Sequence, residues 1–250
     1  MLLIDTGLAL LGRYVRFMRL VIDKPDKWKV FGKNILVEID KMGVDSVGIV
    51  TIISFFIGAV ITIQLANNLD NPFIPTYTIG FAVRETIVLE FSSTIICLIL
   101  AGKVGSNISS EIGTMRITEQ IDAMDIMGVN SANYLAAPKI VAMIIGIPVL
   151  VVYSISIGLV GGWVTGSLTG QVPSDDFIRG LHFTFKPYYI AYTLFKSSVF
   201  AYIIASVASF FGYYVRGGAL EVGRASTQAV VVSSIVILIV NLMITQFLLS

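Results

Sequence analysis

Five stretches of this chain, near residues 44–66, 86–106, 137–166, 188–212 and 229–249, are apolar for long enough to cross a bilayer. A helix needs roughly 20 residues to do so. In hydrocarbon every backbone N–H and C=O must find its partner inside the segment or in a closed sheet. The stretches are long and unbroken, where a β-barrel would show short alternating segments. Only 13% of the residues are charged, against about 25% in a soluble domain, and mean hydropathy is +0.86. These features predict an all-α polytopic membrane protein with five transmembrane helices.

Residues 1–22 read as an amphipathic helix. Leu3, Leu10, Leu11, Tyr14, Val15, Met18 and Val21 can share one side, and Arg13, Arg16 and Arg19 recur at helical spacing on another. That pattern suits a helix lying in the headgroup region. A basic, partly helical segment, Asp23–Lys41, follows, with Pro25 at its start. The expected organisation is interfacial or cytoplasmic helices over 1–43 and a five-span domain over 44–250, with a polar segment at about 108–133. The first apolar run carries Asp5 and is followed by arginines, so no cleavable signal peptide is expected. Arg13, Arg16, Arg19, Lys24, Lys27, Lys29, Lys33, Lys41, Lys103, Arg116, Lys139, Arg216 and Arg224 fall on one side of the spans. Only Arg84, Arg179 and Lys186 fall on the other. The positive-inside rule then places the N-terminus in the cytoplasm and the C-terminus outside.

A net charge of +1 argues against nucleic acid as a partner. One cysteine, Cys97, and one histidine, His182, leave no disulfide framework within one chain and no metal site in view. His182, with Phe183, Phe185, Tyr188 and Tyr189, reads as an interfacial aromatic belt rather than a proton relay. Ser109, Ser110 and the other membrane serines have no base placed near them, which argues against an intramembrane hydrolase. Gly158, Gly162, Gly166 and Gly170 form a ridge at four-residue spacing that lets another helix come close, either within the chain or across a homodimer seam. Pro138 is expected in the first turn of the third span, and Pro148 is expected to kink it.

The segment Glu111–Lys139 lies between two spans and is longer than chain reversal needs. Thr118 can cap a helix ending near Met127, with Gly128 just beyond it. Glu119 and Asp122 then fall in the first turn, where the helix dipole favours acids. Ile117, Ile121 and Met124 make a short apolar stripe, beside the acidic row Glu119, Asp122 and Asp125. Two readings are a helix resting on the membrane and a docking helix for a soluble protein. A negative cytoplasmic leaflet repels an acidic helix, which favours docking. The chain has no Walker A loop: Val104 follows Gly102-Lys103, and Cys97 stands where the first glycine belongs. Any ATP site must therefore lie on another chain.

Glu90 and Lys196 stand inside apolar runs. Each would cost roughly 2.5–3.5 kcal/mol at the centre of a lipid-facing helix. Glu90 can be read as an interface residue. Lys196 lies deeper, about 12 Å inside at helical rise. A shared polar site, with the two paired or facing a wet lipid cavity, accounts for both.

The block Glu111-Ile-Gly-Thr-Met-Arg-Ile-Thr-Glu-Gln-Ile-Asp-Ala-Met resembles the signature of the MlaE/YrbE family, permease subunits of lipid-transporting ABC systems. The likeness continues through Met127-Gly128, Tyr134-Leu135 and Pro138-Lys139. It also takes in Ala101-Gly102-Lys103-Val104-Gly105-Ser106, Gly217-Gly218-Ala219, Val222-Gly223 and Ala225-Ser226-Thr227. It covers roughly residues 40–250. The resemblance implies a non-catalytic permease that works as a homodimer in the bacterial inner membrane. Its partners would be a cytoplasmic ABC ATPase carrying ATP and Mg and a periplasmic MCE-domain protein, and its cargo phospholipid or a related lipid. This chain would bind no cofactor of its own. The resemblance further implies an ATPase-coupling helix drawing on Glu111, Thr114, Met115, Arg116, Glu119, Gln120, Asp122 and Met124. It also implies a lipid pocket lined by Phe55, Thr62, Ile63, Gln64 and Ala66, near Glu90 and Lys196. Two departures bear on headgroup preference. The family usually reads Arg-Glu-Leu-Gly-Pro where this chain has Leu89-Glu90-Phe91-Ser92-Ser93, and a frequent acid of the last span is Asn241 here. An ion-coupled carrier using Glu90 and Lys196 leaves the acidic helix without a role, and a non-transporting scaffold leaves the buried charges without one.

Overall fold

The computed structural model describes residues 2–24, 27–69, 73 and 75–249, with side chains from Ala9 to Leu248. Leu3 of the expected apolar side and Pro25 lie outside the described side chains and residues. The described residues contain helices and no strand. The helices are α1 (Leu2–Val21), α2 (Trp28–Ile39), α3 (Asp45–Asn68), α4 (Tyr77–Thr86), α5 (Ile96–Leu100), α6 (Ser106–Ile117), α7 (Gln120–Ile126), α8 (Ser131–Thr169), α9 (Ser174–His182), α10 (Tyr188–Tyr213) and α11 (Ala219–Leu249). π-helical turns at Asp40–Val44, Ile87–Ile95 and Ala101–Gly105 join α2 to α3 and run α4, α5 and α6 into one rod. Five rods are long and apolar enough to span a membrane: Trp28–Asn68, Tyr77–Ile117, Ser131–Thr169, Tyr188–Tyr213 and Ala219–Leu248. The chain is a multi-pass membrane protein.

Each rod matches one expected span to within a residue or overruns it, and every rod runs past at least one expected end. The third begins at Ser131, so Pro138 sits in its second turn rather than its first. Asn130 starts that helix: its side-chain oxygen accepts the Asn133 backbone N–H at 3.1 Å.

Contacts gather into two compact units, Met1–Met42 with Leu100–Ile145 and Phe200–Ile239, and Gly43–Ile99 with Gly146–Val199 and Val240–Ser250. In the first, α1 turns Phe17, Met18 and Val21 inward. The Phe17 ring packs against Phe210, Tyr213 and Tyr214. Tyr14 donates to the Ser206 hydroxyl at 2.8 Å, and burial pushes its phenol up to about 12. Leu10, Leu11 and Val15 are exposed, so the apolar side expected from sequence divides into a protein-facing stripe and an outer one.

In the second unit the glycine ridge of α8 is filled from within the chain. Gly58 and Gly158 meet backbone to backbone, and a Cβ on Gly58 would overlap the Gly158 carbonyl. One turn on, Gly162 faces Thr62. The ridge is therefore not a homodimer seam. Gly170 does not belong to it: at φ +70 it ends α8. The serines Ser54, Ser154 and Ser92 join in a buried chain of hydroxyl bonds of 2.8 and 3.3 Å.

Candidate functional site

In the first unit, α7 is a short helix held at both ends. Gly128, at φ +78, lets the Val129 N–H reach the Met124 carbonyl and the Gly128 N–H reach that of Asp125, at 3.0 and 3.1 Å. This is the Schellman closure that Gly128 predicted. The other end differs from expectation. Thr118 does not start α7: its hydroxyl donates to the Thr114 carbonyl at 2.8 Å and closes α6. Glu119 makes the turn instead, in the left-handed region at φ +61. A non-glycine residue there costs about 1–3 kcal/mol, so the surrounding structure must hold it.

Arg116 supplies part of that hold. Its guanidinium donates to Asp122 at 2.7 Å and lies over the Tyr213 ring. Ser131 donates to Asp125 at 2.6 Å and bonds the Tyr213 hydroxyl at 2.9 Å. Ile121 is fully buried. The stripe expected to face a partner thus anchors α7 to its own chain. The exposed face carries Glu119, Gln120 and Asp122, and its apolar contribution comes from Ile126 and Met127, 87% and 71% exposed. Those two were missed because they follow the stripe instead of lying on it. Thr114 is exposed, while Met115 and Met124 are half-buried. Glu111 is tied inward, accepting from Lys41 at 2.8 Å and Lys139 at 3.0 Å. Lys139, 3% exposed, also reaches Glu38 at 2.6 Å.

In the second unit Glu90 and Lys196 pair, with Nζ 3.0 Å from Oε1. Lys196 is fully buried and meets partners on three sides. Besides Glu90, it donates to the Leu89 carbonyl at 3.2 Å and lies over the Tyr192 ring. Glu90 sits in the π-helical turn Ile87–Ile95, with its side chain 38% exposed. Its oxygens accept from Thr245 at 3.0 Å, Thr94 at 3.2 Å and Asn241 at 3.3 Å. Tyr192 and Thr245 bond each other at 3.0 Å. Three helices each bring a pair four residues apart: Glu90 and Thr94, Tyr192 and Lys196, Asn241 and Thr245. That spacing is visible in the sequence. Asn241 touches the pair as a neutral donor. The other expected pocket residues differ in exposure. Thr62 and Ala66 are buried, Phe55 and Ile63 half-buried and Gln64 exposed. Thr62 packs against α8 and donates to Gly58.

A family model described as Permease MlaE matches residues 35–247. The chain belongs to the MlaE permease family. Similar proteins carry permease names as well. A protein of Rickettsia bellii named a probable ABC transporter permease is 37% identical over 205 residues, 82% of this chain and 79% of its own length. A permease protein of that same description from Synechocystis is 34% identical over 209 residues, 84% and 79% of the two chains. The Arabidopsis thaliana chloroplast protein TRIGALACTOSYLDIACYLGLYCEROL 1 is 27% identical over 221 residues, 88% of this chain and 63% of its own. This MlaE chain is a membrane subunit of ABC-permease type.

Proposed function

We propose that this chain moves phospholipid or a related lipid between the inner membrane and a periplasmic MCE-domain protein, driven by a separate cytoplasmic ATPase that holds ATP and Mg. The observation that carries this reading is the family match running through α7, whose outer face is acidic and apolar at once. Glu119, Gln120 and Asp122 with Ile126 and Met127 offer a soluble ATPase charge and adaptable apolar contact. One relative bears a galactolipid in its name, which supports a lipid cargo.

Glu90, half-exposed and hydrogen-bonded by Thr94, Asn241 and Thr245, is the polar feature a headgroup would meet. A second copy would pack along α11, only 11% of whose most apolar stretch is buried, against 67% for α10. With the N-terminus cytoplasmic, α7 faces the ATPase and the C-terminus the periplasm.

Native mass spectrometry of the co-purified complex tests the assembly, and lipid transfer from proteoliposomes with ATP tests the activity. Two permease copies with two ATPase copies and bound lipid, and ATP-dependent transfer, are expected. Transport that follows an ion gradient without ATP would instead support the ion-coupled carrier.

A further inference from the structure

Two adjoining cavities lie where the end of α1, α2 and the start of α8 meet, all within the first unit. They share Phe31 and Asn133. One, of about 300 Å³, is bordered by Lys27, Val30, Asn34, Tyr134 and Pro138. The other, of about 290 Å³, is mostly apolar, walled by Met18, Ile22, Ile140, Val141, Ile144 and Tyr202, with Asp23 as its one acidic lining residue. Each approaches the roughly 300–1,000 Å³ typical of a ligand site.

The shared wall is built and fixed. The Asn133 amide donates to the Val21 and Asp23 carbonyls, both at 2.7 Å, and Asn130 donates to Leu20 at 2.9 Å. These bonds satisfy carbonyls at the end of α1 and pin it to the start of α8.

We infer that this groove binds one anionic glycerophospholipid. The headgroup phosphate sits by Lys27, Asn34 and Tyr134, and an acyl chain lies along Ile140, Val141 and Ile144. Three features favour a bilayer lipid over a soluble ligand. The groove is polar at one end and apolar at the other, as a lipid is. Helix α2 buries none of its residues yet exposes Trp28, Leu36 and Val37, a surface that fits apolar surroundings. Lys27 and Lys29 flank Trp28, Lys33 lies about one turn before Leu36 and Val37, and residues 1–42 hold eight Lys and Arg against five Asp and Glu, which selects an anionic headgroup. The site shares no residue with the Glu90–Lys196 cluster, and it stands whether or not the chain transports lipid.

The test uses the purified complex in nanodiscs doped with photoreactive phosphatidylglycerol, or with the matching phosphatidylcholine, each with a diazirine on the acyl chain. Labelled peptides are mapped by mass spectrometry. Phosphatidylglycerol should label peptides containing residues 18–31 and 133–144 about five-fold more than phosphatidylcholine, the ratio given by ~1 kcal/mol per basic residue. Val141→Trp, which fills the apolar cavity, should abolish that label. Lys27→Glu, an exposed change that spares the fold, should bring phosphatidylglycerol down to the phosphatidylcholine level. Equal labelling by both lipids, unaltered by Lys27→Glu, would mean ordinary annular contact and overturn the site. Absence of label there, with Lys27→Cys shielded from a thiol reagent only when the soluble ATPase is bound, would assign the groove to a protein and overturn it too.

Discussion

Lys196 sets the sharpest demand on the fold. It is a full charge with no exposure, and it persists because Glu90, the Leu89 carbonyl and the Tyr192 ring surround it. Removing one partner of a buried pair costs about 3–5 kcal/mol, whereas replacing both with apolar groups of similar size is often neutral. Lys196→Ala should therefore lower the melting temperature in detergent and impair lipid transfer more than recovery of the ATPase. The double variant Glu90→Gln with Lys196→Met should regain the melting temperature yet transfer lipid poorly; full transfer would make the pair purely structural. Asn241→Asp places a second carboxylate beside Glu90. Its expected effect is a changed headgroup preference with the fold intact, read by lipidomics of the co-purified lipid.

At the scale of elements, α7 separates what sequence can tell from what it cannot. Gly128 was legible because few other residues close a helix at positive φ. Thr118 was not, because its hydroxyl can cap the helix ahead or bond back to the helix behind, and here it bonds Thr114. The choice is made by Arg116, Asp122 and Tyr213, which come together only in the folded chain. The left-handed Glu119 allows a test that separates backbone from charge. Glu119→Gly relieves about 1 kcal/mol or more of strain and should raise stability. If the side chain contacts the ATPase, that variant should still lose part of the ATPase in pull-down, and Glu119→Lys with Asp122→Lys should lose most of it. Undiminished ATPase recovery and transport in the lysine double variant would remove α7 from the coupling role.

For the molecule as a whole, the number of spans was legible and their ends were not. Apolar runs mark where hydrocarbon must be crossed, but helices continue wherever packing and capping allow. Thus α4 starts at Tyr77, held against α9 by Thr76 donating to Asp176 and by Arg84, which reaches the Leu181 and Phe183 carbonyls at 2.6 and 3.0 Å. The glycine spacing was equally plain. Whether it faced α3 or a second copy needed coordinates, since both demand the same small residues. If α11 is the face between copies, Leu238→Cys or Leu242→Cys should give a disulfide-linked dimer under mild oxidation. Crosslinks absent at both positions in the active complex would exclude that face.

The backbone contact of Gly58 with Gly158 carries a mechanical consequence. With no side chains between them, α3 and α8 have nothing to rearrange and nothing to slide past at that crossing, so within their unit they act as a rivet. Any stroke that opens a path for lipid must carry the riveted pair as a single piece. Ser54 and Ser154 touch one turn away, at 2.8 Å. Ser54→Cys paired with Ser154→Cys should therefore oxidise readily and leave ATP-driven transfer running at its former rate.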